Sequence, residues 1–121
     1  MTSELASYVR AGIAVLPEHI REEIADAITV DGFRININSV HNCVLGIGYV
    51  SWQRGMRKLG QFAYSNEGEE WSRVHGFSAG NNDYDMYGTI AESERRGVEL
   101  EYVARVLARM WTYYFTRLAN G

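Results

Sequence analysis

Cysteine is almost missing from this chain, with Cys43 its single instance. One thiol closes no internal disulfide, so the sequence reads as a protein of a reducing compartment, the cytoplasm of the cell that makes it. Proline is equally scarce, and Pro17 stands alone. Lysine is scarce too: Lys58 faces eleven arginines. Those arginines are scattered along the chain, so the bias reads as the codon usage of a GC-rich genome rather than as a phosphate- or carboxylate-binding cluster. Long apolar runs are absent, and none approaches the ~18 residues of a membrane span. The start, Met1-Thr2-Ser3-Glu4, has none of the basic character of a secretion signal. A large charge excess is missing as well. Fifteen acidic against twelve basic residues leave −3, which argues against nucleic acid and against a membrane surface as partners.

What the chain has instead is apolar and aromatic mass. Hydrophobic residues make up 46% of its 121 residues, with three Trp, eight Tyr and four Phe. That is too aromatic for a solvated coil and enough for one domain with its own core. No repeat or linker divides residues 1–121, which read as a single globular unit.

Periodicity suggests the elements. Leu5, Val9, Gly12, Ile13 and Leu16 mark one helical stripe, and Ile20, Ile24, Ala27 and Ile28 mark a second beyond Pro17. A bend at Pro17 follows, because proline suits the first turn of a new helix and not the middle of an old one. After the Asp31-Gly32 turn, Phe33, Ile35 and Ile37 alternate with Arg34, Asn36 and Asn38, the pattern of a half-buried strand. Leu45, Tyr49, Trp52, Met56 and Leu59 form another helical stripe, with Asn42 as its cap and Gly60 as its stop. Gly48, Ser51 and Gly55 give that helix a small-residue face for close approach by another backbone. A hairpin over roughly 61–65 and 70–76 pairs with the strand at 33–37 in this reading. Ser78 to Asp83 reads as a surface loop, and Thr89 to Glu92 as a capping box. From Leu100 to Leu118 apolar residues cover most of a last helix, leaving Glu101, Arg105, Arg109, Thr112 and Thr116 as a narrow polar stripe. The expected fold is therefore α+β: a mostly helical single domain with a small antiparallel sheet and the C-terminal helix as core.

Chemistry concentrates at Ser39-Val40-His41-Asn42-Cys43-Val44-Leu45-Gly46. A thiol on the first turn of a helix is stabilised as thiolate by the unpaired N–H groups there. Cys43 is then a candidate nucleophile, with His41 or His75 as base and Asp83, Asp85 or Asn81 as orienter. The alternative is a small buried hydrophobe at a helix start. His41, Cys43, His75 and an aspartate at 83 or 85 also suggest a metal set, but the paired tight spacing of structural zinc sites is lacking, so neither metal nor cofactor is expected. Gly46-x-Gly48 lacks the third glycine and the lysine of phosphate-binding loops. Glu67, Glu69 and Glu70 read as a solvated acidic turn. Trp111, Tyr113 and Tyr114, with Trp71 and Trp52, are the candidate binding residues, since Trp and Tyr are favoured at interfaces.

The Asp31-Gly32-Phe33-Arg34-Ile35-Asn36 stretch, the Cys43-Val44-Leu45-Gly46 element, Gly55-Met56, Leu59-Gly60 and Gly76-Phe77 together resemble a group of small uncharacterised accessory proteins of actinobacterial phages. The likeness spans residues 20–80. It implies a small protein acting in the cytoplasm of an infected host bacterium, and it assigns no residue a role. The leading functional expectation is a non-enzymatic interaction protein that binds a host or phage protein or assembles with itself as a homo-oligomer. A cysteine hydrolase built on Cys43, His75 and Asp83 is one alternative. A small-ligand sequestrant lined by Trp52, Trp71 and tyrosines is the other.

Overall fold

The computed structural model describes residues 2–80 and 90–121. Among the described residues there are six helices and no strand: α1 (Thr2–Val15), α2 (Glu18–Thr29), α3 (Val44–Tyr49), α4 (Trp52–Lys58), α5 (Asn66–Val74) and α6 (Ile90–Ala119). The expected antiparallel sheet is not there, and the fold is helical rather than α+β. Two local reasons account for this.

The first concerns residues 33–38. The Phe33 N–H donates to the Ala27 carbonyl at 3.0 Å, which prolongs the end of α2. Asn36 N–H donates to Asn42 (2.9 Å) and Ser39 N–H to Asn36 (3.0 Å). These bonds close local turns instead of a ladder. The alternation still has a physical meaning, since Ile37 is buried and Ile35 half-buried while Arg34, Asn36 and Asn38 face solvent. The second reason is that the expected hairpin is α5. Ser65 accepts from the Gly68 N–H at 2.9 Å as its N-cap, and Glu67 and Glu69 occupy the first turn, where the helix dipole favours acids. Gly68 and Ser72, one turn apart, form its buried face. With capping chemistry fixing a helix at 66–74, the segment at 33–37 has no strand to pair with.

The helices at the N-terminus follow their apolar spacing. Leu5, Val9, Gly12 and Leu16 are buried, and Pro17 is the N-cap residue of α2, in extended geometry at ψ 148°. Its carbonyl accepts from Ile20 and Arg21 N–H groups. Ile20, Ile24 and Ala25 then face inward.

The stripe from Leu45 to Leu59 is not one helix. Val50 sits at φ 80°, an unfavourable conformation for a β-branched residue, and Ser51 starts α4 afresh by accepting from the Arg54 N–H at 3.1 Å. Two bonds hold this break: Trp52 N–H to the Val40 carbonyl (2.7 Å) and His41 Nδ1–H to the Val50 carbonyl (3.0 Å). The small-residue positions serve two different neighbours. A Cβ on Gly55 would lie 2.8 Å from Leu45 Cβ of α3, and one on Gly48 would lie 2.9 Å from Ile20 of α2. Glycine there lets α3 settle against both helices.

α6 is a 30-residue helix with Gly97 inside it. Leu100, Ala104, Leu107, Trp111 and Phe115 face the core at helical spacing. α2 lies along it most extensively, and α1 touches both α6 and α5. Trp111 is at the centre, fully enclosed, with its ring centroid 5.6 Å from that of Phe77 and 5.6 Å from that of Phe115. Its indole N–H donates to the Gly76 carbonyl at 2.7 Å, so the one polar atom it buries is satisfied.

Candidate functional site

Cys43 is the N-cap of α3 itself; Asn42, expected as the cap, precedes it. Its sulfur accepts from the Gly46 N–H at 3.3 Å and lies 4.0 Å from the Val40 carbonyl. The residue is only 1% exposed and borders a narrow cleft of about 90 Å³ shared with Trp52 and Ser78. Burial pushes the thiol's pKa up, outweighing the backbone hydrogen bonds at Gly46, Leu45 and Cys43 that pull it down. A neutral, enclosed thiol is a weak nucleophile. Its hydrogen-bond partners among the described residues are backbone groups, without imidazole or carboxylate.

The residues expected to activate it are engaged elsewhere. His75 stacks on Trp71 with ring centroids 4.1 Å apart, and its Nδ1–H donates to the Trp71 carbonyl at 2.6 Å. His41 is exposed and binds the Val50 carbonyl. Asp83, Asp85 and Asn81 lie outside the described residues. Among the described residues there is no group of three or more His, Cys, Asp or Glu able to hold a metal ion.

The aromatic candidates divide into interior and surface. Trp111 is core and presents nothing to a partner. Its neighbours Phe77 and Phe115 enclose it because the helix face at 104, 107, 111 and 115 is the one turned inward. Tyr114 is half-buried, and its hydroxyl accepts from Arg21 Nη1 at 3.2 Å, tying α6 to α2. Trp71 is half-buried beneath His75. Trp52 is half-buried, and its indole N–H donates to Ser72 Oγ (3.1 Å), which bonds Ser78 Oγ (2.5 Å). Tyr113 alone of the five is open, at 63% exposure. Its hydroxyl accepts from Arg117 Nη1 at 2.8 Å, and the Arg117 guanidinium sits 5.5 Å from the ring centroid. The ring is thereby held in place on the surface.

Beside Tyr113 runs a groove that sequence reasoning did not find. Its two walls are residues 33–38 and the flank of α6 from Glu101 to Tyr113. One half, about 470 Å³, is lined by Phe33, Arg34, Ile35, Ala108, Arg109, Thr112 and Tyr113. The other half, also about 470 Å³, is lined by Ile35 to Asn38 with Glu101, Ala104, Arg105 and Ala108. Ile35 and Ala108 line both, so the two depressions adjoin. The signal was present in the sequence but divided: the stripe Glu101-Arg105-Arg109-Thr112 reads as solvated helix surface, and Phe33-Ile35-Ile37 as the inner face of a sheet. Only their adjacency makes a site.

A second cleft, about 320 Å³, lies among Trp52, Asn66, Glu69, Glu70, Arg73 and Ser78. Its guanidinium is already engaged. Arg73 binds Glu70 and donates to the Tyr8 hydroxyl at 3.3 Å while lying over the Tyr8 ring. The hydrogen bonds from Arg73 hold the Glu70 carboxyl below the usual carboxylate range. Among the described residues no helix is long and apolar enough to cross a membrane. No family model, no curated protein and no solved structure matches this chain.

Proposed function

We propose that this chain is a non-enzymatic interaction protein that works by offering a folded surface to another protein. The observation that supports this reading is the groove along α6. It combines an apolar floor at Ile35 and Ala108 with two open aromatics, Phe33 at 49% exposure and Tyr113 at 63%. Exposed aromatics around a rigid apolar depression are the usual anchors of protein recognition. The enclosed, neutral thiol of Cys43 supports the same reading against a cysteine hydrolase, which needs an accessible thiolate beside a base. The likeness to phage accessory proteins adds a setting, the cytoplasm of an infected bacterium, with a host or phage protein or a second copy of the chain as the other party.

The test is site-specific photo-cross-linking. Benzoylphenylalanine replaces Tyr113 in one version and Lys58, away from the groove, in another. The reading expects one discrete adduct from position 113, competed away by excess unmodified protein, and none from position 58. No adduct from 113, or adducts of equal yield from both positions, overturns it.

A further inference from the structure

The groove has a charge character that narrows its occupant. Arg34 stands on one wall, and Arg105 and Arg109 stand on the other. All three are exposed, and none is ion-paired among the described residues, where the ion pairs are Arg73–Glu70 and Arg96–Glu99. From residue 102 to the last, at 121, the chain carries three arginines and no acid. The whole molecule is net negative at −3, so this basic strip runs against the general charge. Arg105 and Arg109 are one turn apart on α6, and with Glu101 one turn before Arg105 the lining carries three guanidiniums against one carboxylate.

Resting on the interaction reading above, we infer that the groove takes an acidic segment of a partner protein. An aliphatic or aromatic side chain of that segment seats on Ile35 and Ala108, and its carboxylates pair with Arg34, Arg105 and Arg109. Guanidiniums meet carboxylates in planar two-bond geometry, and arginines on opposite walls grip a carboxylate-bearing chain from both sides. Two other occupants fit less well. A second copy docking groove to groove brings arginines against arginines, because a two-fold interface sets each patch on itself. Single-stranded nucleic acid needs a cationic track along its phosphates and faces on which its bases stack, but here the lining between the arginines is aliphatic, at Ile35, Ala104 and Ala108.

Fluorescence anisotropy of a labelled helical peptide tests this. The probe carries leucine at i and phenylalanine at i+7, flanked on both sides of that apolar line by glutamates at i+3 and i+4. Its twin carries lysines in their place, and a labelled thymidine oligonucleotide is the nucleic-acid probe. The expected result is binding of the acidic peptide alone, weakened about tenfold or more by the R105E/R109E double variant and again by R34E from the opposite wall. Raising salt from about 0.05 to 0.5 M weakens it as well, since the pairs are exposed. All three arginines are on the surface, and an unchanged circular dichroism spectrum verifies that the variants fold. Binding of the lysine twin equal to that of the acidic peptide, preference for the oligonucleotide, indifference to the charge reversals, or no binding of any probe overturns the inference. If position 113 still cross-links in that case, the interaction reading stands and only the partner chemistry falls.

Discussion

Gly12→Ala sets two physical effects of opposite sign against each other at one atom. Gly12 lies inside α1, and in a free helix alanine is better than glycine by about 1 kcal/mol. In this fold the added Cβ would fall 2.2 Å from the His75 carbonyl oxygen and 2.8 Å from the Trp111 ring. Neither neighbour has room to yield. The carbonyl belongs to the backbone at the end of α5, and the ring is fully buried against Phe77 and Phe115. Overpacking of this kind costs ~1–3 kcal/mol. Displacing Trp111 also strains its bond to the Gly76 carbonyl, and a buried polar pair left unmade adds ~1–3 kcal/mol. The balance is a net loss of about 1–5 kcal/mol after the propensity gain. For a domain of this length that is a fall in Tm of roughly 4–20 °C. Circular dichroism melts and urea titrations measure it. Ala14→Gly, on the exposed side of the same helix, supplies the bare propensity scale at about 1 kcal/mol. A Gly12→Ala protein as stable as the parent would refute the close approach of α1 to the α5 end and to Trp111.

Other perturbations read other parts of the molecule. Val50→Gly should stabilise by about 1 kcal/mol, because φ 80° costs a β-branched residue ~1–2 kcal/mol and the side chain is 69% exposed; an unchanged or lower urea midpoint contradicts the break between α3 and α4. Ser65→Ala removes the cap that turns 66–74 into a helix, and it should cost about 1 kcal/mol with a local rise in amide exchange across α5. Cys43 should react with iodoacetamide in the folded protein far more slowly than in urea, and equal rates in the two conditions would show the thiol to be open. Its raised pKa also has a consequence for stability. Below the unfolded thiol's value near 9.0 both states hold the proton and full stability is present; above it the unfolded chain ionises first, so stability falls as pH rises toward the folded pKa. Cys43→Ala should remove that part of the alkaline decline, and identical pH slopes for parent and variant would contradict the burial.

The chain's local chemistry was readable wherever a residue's role depends on its near neighbours. The stripes of α1 and α2 follow from 3.6-residue spacing and the bend from Pro17, with no knowledge of what lies opposite; on α6 apolar residues cover most of the circumference, so spacing alone did not single out the inward row Leu100, Ala104, Leu107, Trp111 and Phe115. Caps were less legible. Ser65 accepts a hydrogen bond just as a turn residue does, so its helix passed for a hairpin, and Cys43 is rarely considered as a cap at all. The segment at 33–37 shows the limit most clearly. Alternation states that one side of a segment is apolar, not that a second strand exists to complete a sheet. Here the apolar side meets a helix.

Composition and periodicity, acting over a few residues, determined that this chain is rich in apolar and aromatic residues, with helical stripes in its first thirty and last twenty or so residues and a solitary thiol at a helix start. Tertiary packing decided that Trp111 is interior while Tyr113 is not, that Cys43 is enclosed, and that Arg34 and Arg109 line one apolar depression with Arg105 in the adjoining one. Periodicity assigns a side chain to a face of its own element. Which faces meet, and so which residues far apart in the chain become neighbours, such as Ile35 and Ala108, 73 positions apart, depends on shape and volume summed over the whole core.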